Sequence, residues 1–286
     1  MSPQLDRLKG SIPPLVTPFH NGEVDYETYA RLVAFQIKNG SHGILVNGTT
    51  AEPSTLSVEE RNRLVDVAVQ VAAGKVPVVA ATGSQSLRET RELTEYAAKV
   101  GVDSLLIVTP YYIRPPQRGL IAYYLELASL TDLPWMVYHI PGRAAVNVTI
   151  DTLKELRAKS PNFVGMKHAV NDLALVSECH AALGPEFKVF VGLEELSFPM
   201  MAVGGCGLMN AVGNLQPRVL ADLCEAVDDA AAIASLSSAE VISMLDARGD
   251  AQRALANQLV SATPGLAVAL REIARGSVIQ AGDQTN

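Results

Sequence analysis

Eight short apolar runs recur along the chain, at residues 12–17, 43–47, 76–81, 104–109, 135–138, 163–167, 188–192 and 207–210. Runs that are apolar at every position suit strands covered on both faces, as in a parallel sheet flanked by helices. The stretches between them, such as 26–39, 58–73 and 87–100, carry apolar residues three and four apart with charges elsewhere, which is helical period. Eight successive β-α units predict a closed (β/α)8 TIM barrel. An open doubly wound sheet shares the alternation, but no GxGxxG fingerprint follows any run. After about residue 230 the strand-like runs stop, and 230–249, 251–260 and 265–273 read as helices before a mostly polar tail at 276–286. The expected organisation is therefore a barrel over residues 1–229 and a C-terminal helical appendage over 230–286. The appendage is too small to bury a core alone, so it is expected to pack on the barrel.

Composition removes several classes of function. The net charge of −7 comes without any basic cluster, which argues against a nucleic-acid surface. The first ten residues contain no apolar signal region, and no run approaches the roughly 20 residues that cross a bilayer. Cys179, Cys206 and Cys224 form no CxxC, so neither a disulfide framework nor a cysteine-based zinc site is expected. His20, His42, His139, His168 and His180 lack metal-ligand spacing. The expectation is a cytoplasmic enzyme acting on a small molecule with neither metal nor cofactor.

In such a barrel the active site forms at the carboxyl ends of the strands. Lys167 stands out, because of the eight lysines it alone ends an apolar run, Phe163-Val164-Gly165-Met166. An ammonium in a barrel mouth is costly to desolvate, so its pKa should fall. The resulting neutral amine is a nucleophile toward carbonyls, and the iminium that it forms is an electron sink. Position alone equally allows a lysine salt-bridged at the rim. Tyr138, ending the neighbouring run, shifts the balance, since a phenol there can pass protons. Gly48-Thr49-Thr50 offers backbone N–H groups and two hydroxyls to a carboxylate, although the same triplet also suits an ordinary turn. Ser57 and Glu60 read as the capping box of the next helix, which leaves 48–56 as a long functional loop. Arg143 can hold a second carboxylate in a two-pronged contact or simply be a solvated loop arginine.

Four segments, Gly48-Thr49-Thr50-Ala51-Glu52, Thr109-Pro110-Tyr111-Tyr112, Tyr138-His139-Ile140-Pro141-Gly142-Arg143 and Gly165-Met166-Lys167, stand in an order and spacing that resemble the dihydrodipicolinate synthase / N-acetylneuraminate lyase superfamily. The resemblance implies a class I, pyruvate-dependent lyase in which Lys167 forms the Schiff base and Tyr138 transfers protons. It further implies that Thr49 and Thr50 bind the pyruvyl carboxylate, that Thr50 also joins the proton relay, and that Gly192 and Met209 line the pocket. Tyr112 would complete the relay across a subunit interface, which implies a homo-oligomer, a dimer or, by family habit, a homotetramer. Arg143, in a Tyr-x-x-Pro-x-Arg pattern, resembles the synthases that condense pyruvate with aspartate semialdehyde to 4-hydroxy-tetrahydrodipicolinate.

Other positions depart from the synthase pattern. Ala51 stands for a usual glycine, Pro53 for serine, His139 for asparagine and His168 for glutamate. These changes leave open a related aldolase or hydro-lyase on another 2-oxo acid; a non-catalytic paralogue is disfavoured by the intact lysine, tyrosine and threonines. The site at which lysine inhibits many synthases would keep Glu89 and Tyr111 here but has Pro53, Val58 and Arg61. An aliphatic side chain offers no hydrogen bond and an added guanidinium repels a cation, so lysine is expected to inhibit weakly or not at all.

Overall fold

The apolar runs pair in parallel into one eight-stranded sheet. In the computed structural model, which describes residues 3–235, the strands are β1 (Gly10–Ser11), β2 (Ile44–Val46), β3 (Val78–Ala81), β4 (Ser104–Val108), β5 (Trp135–His139), β6 (Phe163–His168), β7 (Lys188–Val191) and β8 (Gly207–Leu208). Each is followed by a principal helix: α1 (Tyr26–Lys38), α2 (Val58–Ala72), α3 (Leu87–Val100), α4 (Gln117–Ala128), α5 (Ile150–Lys159), α6 (Leu173–Leu183), α7 (Ser197–Ala202) and α8 (Pro217–Ser235). This is the expected (β/α)8 barrel. By contacts the chain divides into units Met1–Cys224 and Glu225–Asn286. The first unit holds all eight strands; the helices expected over 236–286 lie outside the described residues.

The first run forms less regular strand than its apolarity predicts, because Pro13 and Pro14 have no N–H to give the ladder. Hydrogen bonding nevertheless continues through it. Ile12 N donates to Leu208 O at 2.8 Å, while Leu45 N donates to Pro13 O at 3.1 Å and Leu15 N to Leu45 O at 3.0 Å. With the Pro14–Leu45 bridge, these bonds join β1 to β2 and close the barrel.

One irregularity positions the site. Trp135 pairs with Phe163, but Met136 pairs with Gly165, so Val164 is an extra residue in β6. Because strand side chains alternate faces, one inserted residue moves everything after it to the opposite face. The bulge brings Lys167 level with Tyr138, and His168 level with His139. Gly165 is required at this point: a Cβ there would lie 2.2 Å from Lys188 O. Before the bulge, Trp135 and Phe163 stack at 4.5 Å between ring centroids, and Tyr124 of α4 stacks on Trp135 at 5.6 Å. After it, Met136 and Tyr138 join Leu45, Leu106, Phe190 and Met209 in the buried core cluster.

Local signals fix the helix starts. Ser57 caps α2, accepting from Glu60 N at 3.2 Å while Glu60 Oε2 accepts from Ser57 N at 2.8 Å, the expected reciprocal box.

Candidate active site

The carboxyl ends of the strands converge on a cavity of about 190 Å³ lined by Thr49, Thr50, Tyr138, Arg143, Lys167, Gly192 and Met209, together with Pro14, Ile140, Ala169, Leu193, Glu194 and Ala211. Seven residues predicted from sequence thus meet in one place. Tyr112 does not: it is 86% exposed, in the segment between β4 and α4.

Lys167 is 3% exposed. Burial pushes its amine down to about 7, and the Glu194 carboxylate only partly offsets that cost. Lys167 lines the cavity with its Nζ 4.4 Å from the Tyr138 ring centroid. Gly192 makes room for it. A Cβ at 192 would come 3.0 Å from Lys167 Cε and 2.9 Å from Ala169 Cβ.

Tyr138 is 5% exposed, and burial raises its phenol above the usual value, opposed by the Thr49 hydroxyl and the Arg143 charge. The group is therefore protonated at neutral pH, ready to donate. Thr49 Oγ1 lies 3.5 Å from Tyr138 Oη, a long hydrogen bond. The contact to the phenol is thus made by Thr49, the neighbour of the residue expected in the relay. The predicted loop is two 3-10 turns, Thr49–Ala51 and Pro53–Thr55, joined through left-handed Glu52 at φ 56°. In a helix of about three residues per turn, Thr50 projects a third of a turn from Thr49. Thr50 still lines the cavity. The buried Thr17 hydroxyl holds the turn by donating to Ala51 O at 2.8 Å.

Arg143 lies on a single turn, Pro141–Ala144, at the cavity rim, exposed enough to meet a carboxylate entering from solvent. Sequence reading missed Glu194. Its Oε1 accepts from Ala211 N at 2.8 Å and Val212 N at 3.2 Å, which fixes a carboxylate in the cavity wall and ties the loop after β7 to the loop after β8. Its signal in the sequence is an acid two residues beyond a strand-end glycine. None of the three cysteines forms a disulfide, and Cys179 and Cys224 are buried. Among the described residues no helix is long and apolar enough to cross a membrane, and no group of three or more His, Cys, Asp and Glu is placed to hold a metal ion.

Arg61 behaves differently from its sequence reading as an added free charge. It is 3% exposed, and its Nη1 donates to Glu89 Oε1 at 2.9 Å. Its Nη2 donates to Ala81 O at 3.2 Å. The carboxylate retained at this position is already occupied by a buried guanidinium.

Comparison with known proteins agrees with this geometry. The model of the dihydrodipicolinate synthetase family matches residues 7–256. A 4-hydroxy-tetrahydrodipicolinate synthase of Thermus thermophilus is 44% identical over 218 residues, 76% of this chain and 73% of that protein. The crystal structure of dihydrodipicolinate synthase from Aquifex aeolicus superimposes with a TM-score of 0.76 at 39% identity, covering 78% of this chain and 76% of the other. A prophage protein of the dihydrodipicolinic acid synthase family from E. coli K12, solved in complex with pyruvate, gives a TM-score of 0.75 at 31% identity, covering 78% and 76%. With the family model spanning most of the barrel and the relatives covering about three quarters of each chain, this chain belongs to the dihydrodipicolinate synthetase family.

Proposed function

We propose that this protein joins pyruvate to aspartate semialdehyde through a Schiff base on Lys167, the reaction of a 4-hydroxy-tetrahydrodipicolinate synthase. The observation that carries the reading is the buried amine, pushed down to about 7 and open to the cavity beside a protonated phenol. Neutral Lys167 adds to the keto carbon of pyruvate, and Tyr138 delivers the proton that lets water leave. Loss of a C3 proton from the iminium gives an enamine, whose carbon attacks the aldehyde while the aldehyde oxygen takes up a proton; the semialdehyde's amino group then attacks the re-formed iminium carbon and, with proton transfer, displaces the Lys167 amine as the ring closes. Thr49 orients the phenol through its hydrogen bond, and Thr49 and Thr50 hold the pyruvyl carboxylate. Arg143 receives the carboxylate of the semialdehyde, and Gly192 and Met209 shape the pocket wall.

The departures at His139 and His168 do not argue for another acceptor, because alternation along β5 and β6 turns both rings away from the face that carries Tyr138 and Lys167. We further propose that Tyr112 completes the proton relay of a partner subunit in a homotetramer, or at least a dimer, and that the enzyme works in the cytoplasm. Its exposure on one chain supports this, since a hydroxyl serving its own site would lie in the cavity.

Borohydride added with pyruvate is expected to trap an adduct on Lys167, and Lys167→Ala to abolish adduct and turnover. A panel of aldehydes offered with pyruvate should give the highest kcat/KM for aspartate semialdehyde. An adduct on another lysine would overturn the mechanism; a faster aldehyde would overturn the acceptor.

A further inference from the structure

His139 and His168, which sequence reading treats as separate departures, touch each other. They are in register on β5 and β6, one residue beyond Tyr138 and Lys167. Both are buried, at 3% and 0% exposure. Their rings stack at 5.4 Å with 19° between planes, and the two Nδ1 atoms are 3.2 Å apart.

The neighbours fix which ring donates. His168 Nε2 lies 3.0 Å from the carbonyl of Asp172, the residue that caps α6. A carbonyl only accepts, so His168 Nε2 carries a hydrogen and, in the neutral ring, His168 Nδ1 is a lone pair. His139 Nδ1 must then carry the hydrogen and donate. His139 Nε2 is then an acceptor; it makes no hydrogen bond of good geometry, and the Asn147 side chain is the polar group beside this ring. Both rings are neutral in this arrangement: burial pushes His139 down to about 4, aided by His168, and also lowers His168, whereas Asn147 and Asp172 pull the other way.

The main chain adds the link to the site. His139 O accepts from Ala169 N at 3.0 Å, and His168 O accepts from Gly192 N at 2.8 Å. These bonds tie the end of β6 to β5 on one side and, through Gly192, to the end of β7 on the other.

We propose that His139 and His168 are one positioning pair, donor and acceptor in that order, which holds the ends of β5 and β6 so that the Tyr138 phenol and the Lys167 amine keep their mutual placement. The role rests on the reading that Lys167 and Tyr138 carry the chemistry.

The test separates polarity from bulk. His139→Asn, His168→Glu and the double variant retain a donor facing an acceptor; His139→Phe and His168→Phe retain stacked rings without one. The pH midpoint of Lys167 reactivity, followed by reductive methylation with formaldehyde and cyanoborohydride, needs no pyruvate. It is expected to stay near the wild-type value in the polar variants and to rise by about half a unit or more in the Phe variants, as water reaches a loosened strand end. Pyruvate trapping by borohydride is expected to stay within about threefold of wild type in the polar variants and to fall about tenfold or more in the Phe variants.

An unmoved midpoint in the Phe variants, or equal losses in both sets, overturns the pairing. If wild type shows the low midpoint yet traps no pyruvate, the proposed function fails, while the comparison of midpoints still decides the pair. Should the Phe variants not fold, nitrogen-15 spectra of wild type decide: Nδ1–H on one ring and Nε2–H on the other is expected, and two Nε2–H rings refute it.

Discussion

Tyr138 and Lys167 sit on interior strands, each bonded to neighbours on both sides, and are 5% and 3% exposed. Tyr112, in the segment after β4, is 86% exposed and has a backbone φ of 68°, with Arg114 nearby at 45°. A left-handed residue other than glycine costs on the order of 1 kcal/mol and persists where something else compensates. The two regions divide the work by physical environment. The strand ends supply desolvation, which makes an amine nucleophilic at neutral pH and keeps a phenol protonated. The exposed segment leaves the Tyr112 hydroxyl outside its own cavity, as the proposed relay to a partner subunit requires.

The largest effect should come from the hydroxyls on either side of that divide. Tyr138→Phe and Tyr112→Phe are each expected to lower kcat by about 10²-fold or more, the scale of a lost acid–base group. Mixed oligomers sharpen the contrast. Co-assembling Tyr112→Phe with Lys167→Ala should restore part of the activity, because one site then receives lysine from one chain and Tyr112 from the other. Tyr138→Phe with Lys167→Ala should restore none, since those groups come from the same chain. Restoration in neither mixture, with both single variants inactive, would place Tyr112 in its own site and break the comparison.

Next in size is the pH dependence of the buried amine. The pKa of Lys167 is lowered, so its nucleophilic neutral form gains population as pH rises through about 7. Neutral amine, and with it the initial rate of borohydride trapping, should be about tenfold lower at pH 6 than at pH 8. A rate still climbing steeply above pH 9 would mean that the strand end is not desolvated.

A smaller loss is expected from Gly192→Ala. The added methyl presses on Lys167 Cε and Ala169 Cβ, and a shift of a few tenths of an ångström should lower kcat by roughly fivefold with the fold intact. Unchanged kcat would show that the lysine has slack.

The smallest effect concerns feedback. With Glu89 held by buried Arg61, a cationic ligand must displace an existing ion pair, so millimolar L-lysine is expected to change the steady-state rate by less than about twofold. Strong, cooperative inhibition would overturn that expectation.

Much of this molecule is written in local pattern. Continuous apolar runs and helical period predicted eight β-α units, and Ser57 with Glu60 predicted a helix start to the residue. A lone lysine and a tyrosine at successive strand ends were enough to point to the cavity, because in this fold every strand end opens on the same mouth. Such signals are legible because they depend on neighbours a few positions apart.

Tertiary structure decided what depends on pairing between distant segments. The inserted Val164 sets Lys167 opposite Tyr138, a register no periodicity encodes. The tight turn presents Thr49 rather than Thr50 to the phenol. His139 met His168 across two strands, and Arg61 met Glu89 across two helices. Sequence alone determined the barrel and singled out the strand-end lysine; which hydroxyl, which partner and which charge surround that lysine were fixed only when strand register and helix packing brought those side chains together.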